Sequence, residues 1–265
     1  MPELPDVEVF KQYLDATSLH QTIETVDLKG TEMLNGISGK KLKQRLLEKQ
    51  FESSRRQGKF LFVELHDNGW LVLHFGMTGF LKYYKNPEKE PDHDRLCLGF
   101  SNGYHLAYDC RRKLGEIGYT EGPDKFIRER GMGPDAMSSE LDLDAFRKIL
   151  SRSRGSIKGA LMNQNMIAGL GNVFTDEILF QAGIHPQSKA NSIKAEALEA
   201  LFQVMREDVL PTVIGRRADP SQFPAGYLIP HRERGGHCPK CGNALKRTKI
   251  SGRTTYLCPN CQKSS

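Results

Sequence analysis

The chain lacks any apolar run near the ~18 residues that cross a bilayer, and its opening lacks the apolar stretch of a secretory signal. It also lacks internal repeats and low-complexity tracts, which argues against a solenoid or a disordered scaffold. What remains is a globular protein, with 38% hydrophobic and 26% charged residues, expected in the cytoplasm or, in a eukaryote, the nucleus. Its 265 residues suit two domains and a small appendage. Acid is scarce in one place. Of 38 Lys/Arg and 32 Asp/Glu, residues 231–265 hold eight and one, leaving a nearly balanced 30 and 31 elsewhere. The net charge of +6 is thus concentrated in the tail, the footprint of a polyanionic partner. Charge alone does not separate DNA from RNA or a membrane surface.

Periodicity divides the chain. Val7, Phe10, Tyr13 and Leu14 recur at helical spacing, which predicts a helix over 7–17, and a strand is expected near 23–28. Residues 60–65 and 70–74 flank His66-Asp-Asn-Gly69, and 96–100 and 104–108 flank Ser101-Asn-Gly103. Asn-Gly between short apolar runs signals a hairpin. With a strand over 80–84, these predict an antiparallel β-sandwich across 1–130, interrupted by a solvated loop at 85–94. Beyond Gly131-Met-Gly-Pro134 the pattern is helical, over 143–150, 157–163, 173–182 and 192–214. Ser192 is the expected N-cap of the last helix, and Pro211 is expected to kink or end it. A connector rich in Gly and Pro, 215–230, leads to the tail. The expected fold class is α+β with three domains: 1–130, 131–229 and 230–265.

The tail carries the clearest chemistry. Cys238-Pro-Lys-Cys241 and Cys258-Pro-Asn-Cys261 have the spacing of a four-cysteine structural zinc site, and disulfides suit a cytosolic chain poorly. Four thiolates around Zn²⁺ would lower the tail's charge from +7 to about +5, so it stays basic. The residues between the pairs, 245–250 and 254–257, read as a hairpin with Arg253 projecting at its turn. Cys97 and Cys110 fall outside the zinc pattern and are expected to be small buried residues. At the other end, Met1 followed by Pro2 is a candidate for removal, leaving a secondary amine. An α-amino group titrates near ~7.7–8.0, so this one would be partly unprotonated and nucleophilic at neutral pH. Glu3 is placed to move protons beside it.

Met1-Pro-Glu-Leu-Pro-Asp-Val-Glu8 resembles the opening of the formamidopyrimidine-DNA glycosylase/endonuclease VIII family, and further motifs follow in order. Gly58-Lys-Phe-Leu61 is similar to the family's Gly-Lys-Tyr/Phe-Leu, which implies that Lys59 contacts phosphates at the damaged nucleotide. His74-Phe-Gly-Met-Thr-Gly79 resembles His-Leu-Gly-Met-Ser/Thr-Gly and implies that Met77 wedges into the stack. Asp109-Cys-Arg-Arg-Lys-Leu-Gly115 resembles Asp-Pro-Arg-Arg-Phe-Gly imperfectly, with either one residue inserted, so that Arg112-Lys-Leu-Gly115 is the match, or the loop remodelled. Leu114 then replaces the Phe beside the orphaned base, and either Arg111 or Arg112 reaches that base. The run from Gly169 to Ile178, followed by Ala182-Gly-Ile-His-Pro186, looks like the helix–two-turn–helix, in which Asn172 and nearby amides grip phosphate. By the same resemblance Glu177 helps place the damaged base or orient the active site, Lys158 lies near the base and the N-terminus, and Arg253 holds phosphate.

The resemblance covers nearly the whole chain. It implies a bifunctional glycosylase and abasic-site lyase of base excision repair that acts on double-stranded DNA as a monomer, with Pro2, Glu3 and Lys59 in catalysis. Zn²⁺ would be structural, held by Cys238, Cys241, Cys258 and Cys261, with no catalytic cofactor. Asp6 stands where Glu is usual, the segment before Cys238 departs from the family pattern, and the connector is short. Met77 and Lys158 favour oxidised purines, namely 8-oxoguanine and formamidopyrimidines. Leu114 and the connector leave oxidised pyrimidines open, and a non-catalytic binder of damaged DNA is the reading from another class.

Overall fold

Alternation of apolar and polar residues builds the first half of the chain. The computed structural model describes residues 1–66 and 69–263. Two compact units result, one of residues 1–2 and 6–131, the other of 3–5 and 132–263.

In the first unit, helix α1 (Leu4–Ser18, its first two residues counted with the second unit) is followed by β1 (Ile23–Leu28), β2 (Leu34–Asn35) and α2 (Gly39–Leu46). Strands β3 (Phe51–Gln57), β4 (Phe60–Leu65), β5 (Trp70–His74), β6 (Gly79–Tyr84), β7 (Asp94–Phe100), β8 (His105–Cys110) and β9 (Glu116–Thr120) come next, then α3 (Pro123–Glu129). They form two sheets, ordered β1-β7-β8-β6 and β2-β9-β5-β4-β3. The two expected hairpins therefore lie in different sheets. Leu61, Val63, Leu71 and Leu73 of one sheet share a core with Leu81, Leu96, Leu98 and Leu106 of the other. This is the predicted sandwich. The opposite side chains of β4, Phe60 and Phe62, pack against Phe126 of α3, with ring centroids 5.3 and 5.4 Å apart.

Several expectations change. The turn residues Asp67 and Asn68 of the first hairpin lie outside the described residues. The sheets are not purely antiparallel, because β2 pairs parallel to β9. Strand β3, Phe-Glu-Ser-Ser-Arg-Arg-Gln, was not anticipated: it is an edge strand whose polar side chains hide its period. The solvated loop contains a 3₁₀ turn over Pro87–Lys89, and Asp94 at its end is buried in β7 and paired with Lys29 at 3.0 Å. Cys97 and Cys110 are buried as expected.

The second unit packs α4 (Leu143–Ser151), α5 (Ile157–Met162), α6 (Asn172–Gln181), α7 (Ala195–Gln203) and α8 (Leu210–Gly215) around one core that includes Phe146, Leu161, Ile178, Leu201 and Val209. Asp142 and Ser156 cap α4 and α5 by accepting from Ala145 N and Gly159 N, at 2.8 and 3.1 Å. Ser192 does not cap α7. It sits in a 3₁₀ turn, Ala190–Ser192, and Lys194 is the residue before the helix. Nor does Pro211 end the helical run. A π-helical segment, Val204–Val209, joins α7 to α8, and Pro211 falls in the first turn of α8. The wider π turn accommodates a residue that has no N–H and whose ring crowds the preceding turn. The tail hairpin, β10 (Lys246–Ile250) and β11 (Arg253–Leu257), clusters with this unit. No described helix is long and apolar enough to cross a membrane.

Candidate catalytic and nucleic-acid-binding site

Glu3 is fully buried, and its carboxylate closes the N-terminus of α6. It accepts from Gly171 N at 2.8 Å, Val173 N at 2.9 Å and Phe174 N at 3.2 Å. Helix N-termini leave such amides without intrahelical partners, and their partial positive charge favours an anion. Gly171, the N-cap, supplies no side chain of its own, and a Cβ there would lie 2.3 Å from the Glu3 carboxyl carbon. Leu4 N donates to Gly169 O at 3.0 Å, which pins the backbone just past Glu3. The amides of Gly171, Val173 and Phe174 are thus directed at Glu3. Asn172 donates from Nδ2 to Thr254 O at 3.0 Å, tying α6 to the tail hairpin, while its buried Oδ1 has no partner among the described residues.

Lys158 is fully buried, and its ammonium donates to Asp176 Oδ1 and Thr255 Oγ1, both at 2.6 Å. Burial pushes its pKa down, opposed by the Asp176 carboxylate. The other Asp176 oxygen accepts from Arg232 Nη2 at 2.7 Å and Tyr256 N at 3.2 Å. Lys158 therefore acts as a strut between α5, α6 and the hairpin. Glu177 is likewise fully buried and accepts from Leu228 N, Ile229 N and Gln181 Nε2 at 3.0, 2.7 and 2.7 Å. Burial raises its pKa, opposed by those three donors. It fastens the end of the connector. Sequence reading missed Asp176, Arg232 and Thr255. The available signal was a pair of adjacent acids, Asp176 and Glu177, inside a helix that is otherwise uncharged.

In the first unit, Lys59 occupies the tight turn between β3 and β4, where Gly58 has φ of 57°. Its charge, with that of Arg130, adds to the burial that pushes His74 down to about 4, so His74 is neutral at pH 7. The turn after β5 presents Met77 to solvent. Beside it lies the loop 111–115, whose Arg111, Arg112 and Leu114 are exposed. Arg112 N donates to Thr78 Oγ1 at 3.1 Å. Gly76, at φ of 56°, passes so close to Leu114 that a Cβ would lie 2.4 Å from its carbonyl oxygen. The structure thus brings Met77, Arg111, Arg112 and Leu114 to one edge of the sandwich. Lys113 turns away to pair with Glu32 at 2.6 Å.

The four cysteines converge, with all four sulfurs within 4.8 Å of one another. Cys238 and Cys261 Sγ are 3.8 Å apart, and Cys241 and Cys258 Sγ 3.5 Å. Zn–S bonds of ~2.3 Å in a tetrahedron require sulfurs about 3.8 Å apart, so the cluster fits one structural Zn²⁺. The backbone amide of Asn243 leads the groups that bring Cys241 down to about 6, whereas burial pushes Cys238 and Cys261 up, so the fit to zinc rests on the sulfur geometry. Arg253, on the adjoining hairpin, is exposed.

Comparison with known proteins agrees with this geometry. Residues 1–117 match the formamidopyrimidine-DNA glycosylase N-terminal domain, 132–223 its helix–two-turn–helix domain, and 235–263 the zinc finger found in FPG and IleRS. The formamidopyrimidine-DNA glycosylase of Bacillus licheniformis is 32% identical, the alignment covering 99% of this chain and all of that one. The one from Prochlorococcus marinus strain MIT 9312 is 31% identical with the same coverage. The crystal structure of Lactococcus lactis Fpg (MutM) with DNA containing N7-benzyl-Fapy-dG superposes with a TM-score of 0.89 at 28% identity, over 99% of this chain and all of that one. MutM in complex with carbocyclic 8-oxo-G DNA gives the same score, identity and coverage. With relatives above 30% identity matched end to end, this chain belongs to the formamidopyrimidine-DNA glycosylase family.

Proposed function

We propose that the protein is a bifunctional DNA glycosylase and abasic-site lyase that removes oxidised purines from duplex DNA. The observation that carries this reading is Glu3, the residue after Pro2, whose buried carboxylate accepts from the amides of Gly171, Val173 and Phe174 at the N-terminus of α6. Similarity to proteins solved on DNA containing Fapy-dG and carbocyclic 8-oxo-G favours purine lesions over pyrimidine ones.

Once Met1 is removed, the Pro2 amine attacks C1′ of an extruded lesion nucleotide, and the glycosidic bond breaks to release the base. Opening of the sugar gives an iminium between Pro2 nitrogen and C1′. Glu3 handles the protons of ring opening. The iminium acidifies the C2′ proton, so β-elimination expels the 3′ phosphate and δ-elimination the 5′ phosphate. Lys59 and Arg253 neutralise backbone phosphates, and Asn172 positions the hairpin that carries Arg253. Met77 and Leu114 fill the vacated stack, and Arg111 or Arg112 meets the orphaned base. Functionally the chain divides into a catalytic sandwich at 1–130, a helix–two-turn–helix region at 131–229 and a zinc finger at 230–265. It acts as a monomer on chromosomal DNA in the cytoplasm, or in the nucleus if the source is eukaryotic.

Borohydride trapping tests the proposal on duplexes carrying 8-oxoguanine opposite cytosine, thymine glycol, or an abasic site. Covalent product is expected with 8-oxoguanine and the abasic site, and more weakly with thymine glycol. No trapping on any duplex, with Met1 shown by intact mass to be absent, would leave only a DNA-binding role.

A further inference from the structure

The second unit carries a cavity that the proposed reaction does not use. It measures about 520 Å³ and lies where the end of α4, the turn leading into α5 and the loop 163–166 meet. Pro134, Ile149 and Met166 give it an apolar floor, the last two only partly buried against the helical core. Arg152 and Arg154, both exposed, complete the lining with Ser153 and Asn165, and none of these side chains is acidic. Neither arginine has a hydrogen bond, ion pair or ring contact among the described residues. Arg147, on the same helix, is by contrast engaged by Asp144 and Glu199 at 3.6 and 3.1 Å. A cation at the C-terminal end of α4 suits the helix dipole, which accounts for Arg152 but not for Arg154 or the apolar floor.

Backbone contacts hold the walls in place. Ala168 N donates to Pro134 O at 2.8 Å and Gly133 N to Gln164 O at 2.9 Å, so the two segments run locked together. A Cβ on Gly133 would lie 2.5 Å from Met166 O, a measure of how closely they approach. Ser153 O and Gly155 O accept from Asn191 N and Ala190 N at 3.2 and 2.9 Å, which fixes the loop that presents the arginines.

We propose that this cavity docks an acidic segment of a partner protein, with one large apolar side chain seated on Pro134, Ile149 and Met166 and flanking carboxylates on Arg152 and Arg154. Two chemistries side by side select this occupant. Planar guanidinium groups free of internal partners pair with carboxylates in a bidentate manner, and their charge is uncompensated within the cavity. An apolar floor rewards a side chain that leaves water, and the flexible thioether of Met166 adapts to its shape. A phosphodiester backbone would engage the arginines and leave the floor empty. An apolar segment without acids would fill the floor and leave the arginines unanswered. Only a chain carrying both kinds of group uses the whole surface, in the pattern of an apolar anchor within a charged rim.

The test is fluorescence anisotropy with the zinc-loaded full chain and a labelled peptide of Asp and Glu around a single Phe. Binding is expected, and the Arg152→Ala/Arg154→Ala variant should weaken it about tenfold or more. Replacing the Phe of the peptide by Ala should weaken it to a similar degree, a comparison that needs no change in the protein. Adding a duplex with a tetrahydrofuran abasic analogue should leave the peptide bound, and affinity for that duplex should be equal in the variant and the wild type. No binding of the Phe peptide, or equal binding by the arginine variant, would overturn the inference. So would equal binding of the Ala peptide, which would show a charge contact alone. Displacement of the peptide by the duplex, with weaker duplex binding by the variant, would overturn it too and assign the arginines to DNA.

Discussion

Replacing Glu3 by Gln removes one charge and turns one acceptor oxygen into a donor. The best arrangement keeps the remaining oxygen where it accepts from Gly171 N and Phe174 N, which sets the new NH₂ against Val173 N, now 2.9 Å from the carboxylate. One charge-assisted hydrogen bond is lost, about 1.5–3 kcal/mol, together with a charge–dipole attraction of about 0.3–1 kcal/mol or more. The sum, about 2–4 kcal/mol, should appear in urea unfolding of the zinc-loaded protein followed by circular dichroism at 222 nm. Tryptophan fluorescence is the wrong probe, because Trp70, the single tryptophan, lies in β5 of the first unit. With a urea dependence of about 1.5 kcal/mol per molar, the helical transition should fall by about 1.3–2.7 M. Gly171→Ala, whose Cβ would displace the same carboxylate, should shift it in the same direction. A shift below about 0.3 M in both variants would show that the carboxylate does not hold the N-terminus of α6.

Other outcomes follow from the same geometry. Asp176→Asn leaves the buried Lys158 ammonium without its counter-charge and should cost about 3–5 kcal/mol in urea titrations. The Lys158→Met/Asp176→Asn double variant should recover at least about 1 kcal/mol of the summed single losses, and strict additivity would show that the pair is not coupled. His74 titrates near 4 in the fold and 6.5 in the unfolded chain, so the unfolded state binds the extra proton between those values. Stability should therefore drop by about 2 kcal/mol from pH 7 to pH 5, and Gln at position 74 should remove that part of the pH dependence. Arg253→Ala should lower the slope of log affinity against log salt by about 1 on an abasic duplex, with the fold unchanged by circular dichroism. Chelation of zinc, or Cys241→Ser, should abolish the same binding and release metal detectable by a chromogenic chelator.

What the sequence determined by itself was local or covalent. Two CxxC pairs define a zinc site because ligand type and spacing suffice, and the strands over 60–65, 70–74 and 80–84 were legible because their apolar residues repeat at short range. Ile23–Leu28 was found at its observed bounds for the same reason. The tertiary structure alone decided what the buried polar groups do. Glu3, Lys158 and Glu177 each look like an available charge in a linear reading. Their partners lie 168, 18 and 51 residues away, at Gly171, Asp176 and Leu228, and only folding brings them together. The same holds for β3, whose polar strand is defined by pairing with β4, and for the π turn that carries the chain past Pro211. A charge removed from water must find its counterpart, and where that counterpart lies depends on the packing of distant elements, which no short-range pattern records.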